Sequence, residues 1–85
     1  MSDEAEFYWA YHDERAVWID YTNYRGTRRV RHVIPDPNGF YWRNTPEHTE
    51  PQWLLNAWDI EKNALRSFAL SGIHGWFMTK PEKAP

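Results

Sequence analysis

Arg66, Phe68 and Leu70 stand two residues apart in a short apolar run. In an extended chain that spacing places all three on one face, because side chains alternate sides with period 2. A guanidinium at the lip of an apolar surface is suited to holding an anion. Four more arginines, Arg25, Arg28, Arg29 and Arg31, with His32, crowd into eight positions upstream. A guanidinium fork binds phosphate through two parallel hydrogen bonds and also stacks on rings. Arginine interleaved with Trp and Tyr is therefore the composition of a nucleotide or single-strand site. The plainer alternative is a solvated hairpin face whose charges discourage edge-to-edge aggregation, and it weighs most for Arg25 and Arg28, which flank a turn. Arg29 and Arg31 share a strand face, and Arg66 sits on an apolar one.

Tyr41 and Trp42, and further on Trp76 and Phe77, are aromatics that could stack bases or seal a protein contact, since interfaces also favour Trp, Tyr and Arg as anchors. His48, two residues before Glu50, could meet a phosphate or a ribose, or cap its loop through a backbone carbonyl. The candidate ligand-binding set is thus Arg29, Arg31, Tyr41, Trp42, His48, Arg66 and Phe68. Ligand-facing arginines contribute little to a core, so replacing Arg31 or Arg66 is expected to leave the fold intact.

Catalysis and metal binding have little support. The histidines at 12, 32, 48 and 74 form no H-x-x-x-H or H-x-H pair, so a zinc site would need ligands gathered by the fold alone. The three serines lie outside any nucleophile-elbow context. Asp59 and Glu61, at a strand end and in a turn, read as turn formers. The expectation is no catalytic residue, no metal and no cofactor.

The elements that must position these residues are mostly strands. Residues 1 to 15 lack Gly and Pro and place Phe7, Tyr8 and Tyr11 at helical spacing behind an acidic first turn, which predicts a short helix or an adaptable arm. From 17 to 22 Val, Ile and Tyr alternate with Trp, Asp and Thr, the pattern of a half-buried strand. Gly26 supplies a turn, residues 28 to 34 return, and Pro35 and Pro37 are expected to end that strand, because proline cannot donate to a ladder. Residues 35 to 52, with four prolines, then form a long ordered loop holding Tyr41 and Trp42. A second hairpin runs from 53 to 60 and 65 to 70 around Glu61-Lys62-Asn63-Ala64. A shorter fifth strand follows near 72 to 78.

The second hairpin resembles the WYL family, whose signature is a tryptophan-led strand followed by Arg-x-Phe-x-Leu and an Ile. Trp18-Ile19-Asp20-Tyr21-Thr22-Asn23-Tyr24-Arg25-Gly26 is similar to its first strand and turn, and Arg31-His32-Val33-Ile34-Pro35 to its second strand. The resemblance spans roughly residues 16 to 74 and is greatest to short stand-alone bacterial or prophage proteins, in which His48-x-Glu50-Pro51-Gln52-Trp53-Leu54-Leu55 recurs. Leu54-Leu55 replaces the family's Tyr-Leu after Trp53, so no role of that tyrosine carries over. The resemblance implies an Sm-like or SH3-like β fold and a basic ligand patch at Arg31 and Arg66. Longer relatives join such a domain to a helix-turn-helix and regulate transcription in response to ligands, often in phage defence. No helix-turn-helix pattern occurs in these 85 residues, so the chain is expected to sense or sequester a ligand, or to modulate a partner.

Composition bounds the rest. A domain of 85 residues buries only about 60 to 65 percent of its unfolded surface. Six Trp, five Tyr and four Phe exceed what so small a core needs, although five or six of them could form most of it, each removing on the order of 150 to 250 Å² from water. The surplus points to a ligand groove or a symmetric contact, most simply a homodimer. With no cysteine, no signal peptide and no apolar run near the ~18 to 20 residues of a membrane span, a cytoplasmic chain is expected. The net charge of −2 speaks against general adhesion to nucleic acid.

Taken together, the sequence predicts a mainly β domain over 16–78, a small strongly bent antiparallel sheet or partly open barrel. An acidic aromatic arm or short helix occupies 1–15, and a flexible tail occupies 79–85. Its expected partner is a nucleotide-like or single-stranded nucleic-acid ligand. The alternative is a small phage or prophage module that docks on a host protein.

Overall fold

The computed structural model describes residues 8–44, 46 and 50–82. Five strands, β1 (Val17–Thr22), β2 (Arg28–Arg43), β3 (Gln52–Asp59), β4 (Ala64–Ala69) and β5 (Ile73–Phe77), form one antiparallel sheet in the order β4-β3-β2-β1-β5. The sheet is not closed. Its curl nevertheless brings the end of β1 against the end of β4: the backbone N–H of Ala69 donates to the Tyr21 hydroxyl at 3.0 Å, and the Tyr21 and Phe68 rings meet edge-on at 5.0 Å. This contact across the mouth makes the expected partly open barrel.

The alternation in β1 works as its sequence implies, with Ile19 and Tyr21 buried on the inner face. They pack with Val33, Ala57 and Phe68, flanked by Val17 and Ile73. The buried side chains are mainly aliphatic. Among aromatics only Trp9, Tyr21 and Phe68 are buried in the described residues, so the core uses fewer rings than composition suggested. The β1–β2 turn is fixed by Asn23, whose Oδ1 accepts from the N–H groups of Arg25 and Thr27 at 2.9 and 3.0 Å, while Gly26 takes φ +84°. Positive φ of that size suits only a residue without a Cβ.

Strand β2 departs most from expectation. It passes through Pro35 and Pro37 and ends at Arg43. Pro35 still faces Ala57, but the register then slips, and pairing resumes at Phe40 opposite Leu55. The prolines fall where the ladder is interrupted, so their missing N–H groups cost no sheet bond. Asp36 closes a small turn inside the bulge by accepting from the Asn38 N–H at 2.9 Å. A Cβ on Gly39 would stand 2.8 Å from the Asn56 carbonyl oxygen. Tyr41 and Trp42 consequently lie in a strand, which takes residues 35 to 43 out of the expected long loop.

Leu70 also departs. Strand β4 stops at Ala69, and Leu70–Gly72 form a 3₁₀ turn that carries the chain across the mouth to β5 beside β1. A Cβ on Gly72 would run into the Thr22 carbonyl and reach 2.9 Å from the Tyr21 ring. Leu70 therefore leaves the face that Arg66 and Phe68 share. At the other end, the expected helix is two 3₁₀ turns, Tyr8–Tyr11 and Asp13–Arg15. Trp9 and Ala10 cover Ile34 on the outer face, beside Ala16, Trp58 and Ile60.

Candidate functional site

Cross-strand register decides which arginines meet. Arg29 faces Tyr21, Arg31 faces Ile19 and Arg66 faces Ala57. Tyr21, Ile19 and Ala57 are members of the inner core, so all three arginines issue from the inner face, where the curl leaves its mouth open. Arg31, Arg66 and Phe68 line one cavity of about 490 Å³ with Tyr21, Tyr24 and Leu65. Arg29 lines a neighbouring depression of about 360 Å³, which Arg31 also borders together with Glu61 and Lys62. Four residues singled out from the sequence thus come together. A cavity of a few hundred Å³ with aromatic walls and a few placed polar groups is the usual form of a small-molecule site.

The three arginines are not equivalent. Arg66 and Arg29 are exposed, and neither has an ion-pair partner among the described residues. Arg31 is only 13% exposed, and its Nη1 lies 3.8 Å from Oδ2 of Asp59, which is fully buried. Asp59 Oδ1 accepts from the Lys62 N–H at 3.1 Å. The Arg31 Nε and the Asp59 Oδ2 are both buried without a hydrogen-bond partner, so the pair is electrostatic rather than a bidentate lock. The expectation that Arg31 contributes little to the core is corrected here, because it neutralises a buried carboxylate. Asp59 is likewise more than a turn former. Sequence offered one signal for it: position 59 continues the inward alternation of Leu55 and Ala57.

Tyr41 and Trp42 are not brought to the arginine cavity. The Tyr41 hydroxyl is 2.7 Å from Ser67 Oγ, which donates to Asn56 Oδ1 at 2.9 Å, and the Arg43 guanidinium lies 5.7 Å over the Tyr41 ring. Trp42 faces Trp53, with ring centroids 5.8 Å apart at 70°. Both are more than half exposed, as is Phe40. His48 lies outside the described residues. Tyr21 and Tyr24, two walls of the cavity, were missed because nothing local shows that β1 curls over β4.

Several other basic side chains are engaged elsewhere. Arg28 grips Asp20 through Nε and Nη2 at 2.9 and 2.7 Å. These hydrogen bonds hold the Asp20 carboxyl below the ordinary carboxylate range and push the Arg28 guanidinium up. Arg25 donates to the Tyr24 hydroxyl at 3.0 Å. The His32 ring stacks on Trp18 at 3.9 Å and 2°, with the Lys80 ammonium 5.5 Å from the same indole. His74 shares a hydrogen bond with Thr22, and His12 with Glu14. No cluster of His, Asp and Glu that could hold a metal occurs among the described residues.

The protein is thus a small β domain, a curled five-stranded sheet with a cavity lined by Arg31 and Arg66 at its mouth. A model of the WYL domain matches residues 5–78, and the chain belongs to the WYL domain family. Domains of this family are generally regulatory and ligand-binding, and typically non-catalytic. No curated protein and no solved structure matches the chain. No helix among the described residues is long and apolar enough to cross a membrane.

Proposed function

We propose that the chain is a non-catalytic, cytoplasmic sensor domain that binds a nucleotide-like or single-stranded nucleic-acid anion in the cavity between β1 and β4. The observation that carries this is the convergence of Arg31 and Arg66 on one cavity walled by Tyr21, Tyr24 and Phe68. Arg66, which has no ion-pair partner among the described residues, supplies one cation, and Arg31, 3.8 Å from the buried Asp59, supplies a second. The rings beside them offer faces on which a base stacks. Arg29, in the adjoining depression, extends the positive field.

The rival is a module that docks on a host protein through exposed aromatics. The exposed Phe40, Trp42 and Trp53, none of which lines the arginine cavity, favour giving it a test. Salt dependence separates the two. Each phosphate contact to a single strand contributes about −0.7 to the slope of log K against log salt, so two or three arginines give about −1.4 to −2. Binding of a short oligonucleotide with that slope supports the sensor. A protein partner captured with no salt dependence, and no nucleotide binding, would transfer the function to the aromatic surface.

A further inference from the structure

The arginine cavity has a neighbour of different chemistry. A second depression of about 320 Å³ adjoins it, and Asn23 and Tyr24 line both. Its other walls include Thr22 at the end of β1, Gln52 at the start of β3, Ser71 and Gly72 of the 3₁₀ turn, and His74 of β5. The shared wall is rigid, because Asn23 Oδ1 is tied to the Arg25 and Thr27 N–H groups. The first cavity holds Arg31 and Arg66, whereas among the described residues the second is lined by no Lys, Arg, Asp or Glu. Its polar groups are partly spent on one another: Ser71 Oγ donates to Gln52 Oε1 at 3.1 Å, and Thr22 Oγ1 lies 2.8 Å from His74 Nε2. The Gln52 amide N–H groups and the second ring nitrogen of His74 keep their capacity to bond outward.

Two adjoining depressions, one carrying guanidinium groups and the other lined among the described residues by amide, hydroxyl and imidazole groups, select a ligand with the same asymmetry. We infer that the ligand has two units joined through phosphate, with the anionic unit among Arg31, Arg66 and Phe68 and an uncharged nucleoside or sugar unit across Tyr24, against Gln52, Ser71 and His74. This rests on the anion site proposed above and adds its reach and polarity. A mononucleotide engages only the cationic cavity. Once the first unit is anchored, contacts of the second cost no further loss of translational freedom, so they appear directly as affinity.

The test is calorimetric titration of the full chain with a 5′-mononucleotide, the dinucleotide of the same base and a nucleoside-diphosphate sugar. Wild type, Ser71→Tyr, Gln52→Ala and Arg66→Ala are compared, with each variant's fold checked by circular dichroism. One or two added hydrogen bonds predict that a two-unit ligand binds about ten-fold tighter than the mononucleotide. Which of the two does so names the second unit. Ser71→Tyr, which fills the second depression from an exposed turn, should bring the ratio to about one, and Gln52→Ala should lower it, whereas Arg66→Ala weakens every ligand. Equal affinity for one-unit and two-unit ligands in the wild type, or a gain that survives both Ser71→Tyr and Gln52→Ala, overturns the inference. The anion site fails by a different sign, mononucleotide binding that ignores Arg66→Ala. If no nucleotide binds, both fall together.

Discussion

At the scale of single residues, Arg31 and Arg66 separate structure from recognition. Both were read from sequence as ligand-facing, yet Arg31 holds the fully buried Asp59 while Arg66 has no ion-pair partner among the described residues. Truncating one member of a buried pair leaves the other charge uncompensated, typically at a cost of about 3 to 5 kcal/mol. The 3.8 Å separation and the absence of a direct hydrogen bond place Arg31→Ala toward the lower end. Urea denaturation should show that loss, with much of it recovered in Arg31→Met/Asp59→Leu, while Arg66→Ala stays within about 0.5 kcal/mol of wild type. A stable Arg31→Ala protein would contradict the role assigned to Asp59. The opposite face gives a pH prediction. Asp20 has its folded pKa lowered, chiefly by the Arg28 hydrogen bonds. Its contribution is therefore fully present above the unfolded carboxylate value of about 3.9 and is lost as pH falls through the lower folded value. Carboxyl chemical shifts should report an Asp20 midpoint below the ordinary range that moves up in Arg28→Ala.

At the scale of elements, local pattern was informative wherever pairing is local. The alternation of 17–22, the Gly26 turn and the Trp53-led hairpin all appear in the structure close to where the sequence put them. Pro35 and Pro37 misled because a proline forbids a strand only where its N–H would be needed, and the register slip between Pro35 and Phe40 removes that need. Leu70 misled because the demand for a crossing to β5 comes from pairing with β1, some fifty residues away in sequence. For the same reason the cavity was half legible: Arg29, Arg31, Arg66 and Phe68 follow from period 2, but the seam that joins Tyr21 to Ala69 does not. That seam is testable. In Tyr21→Phe the Ala69 N–H loses its partner in a buried setting, a cost of about 1 to 3 kcal/mol. Thermal melts should show the loss, with faster exchange of the Ala69 amide. An unchanged melting temperature would mean that the curl is held by ring packing alone.

For the whole molecule, the notable quantity is the aromatic surface left outside. Phe40, Trp42, Trp53 and Trp76 are each about half exposed, and Phe77 is only somewhat less so. Exposed apolar groups such as the Trp42–Trp53 pair are characteristic of interaction sites, and β5 is an edge strand with one side unpaired in the sheet. A twofold dimer is the simplest way to cover them. Sedimentation at micromolar concentration is expected to give twice the chain mass, and a strictly monomeric protein without a partner would leave this surface unexplained.

In our proposal the cavity between β1 and β4 binds a nucleotide-like anion through Arg66 beside Arg31, which pairs with Asp59. Titration of wild type, Arg66→Ala and Arg66→Lys with a short single-stranded oligonucleotide, followed by tryptophan fluorescence, addresses it most directly. Saturable binding to wild type is predicted, weakened in Arg66→Ala by roughly 1.5 to 3 kcal/mol, the worth of a charge-assisted hydrogen bond. Arg66→Lys should fall between, since an ammonium keeps the charge without the planar fork. No binding by wild type, or identical affinities in all three proteins, would contradict the claim.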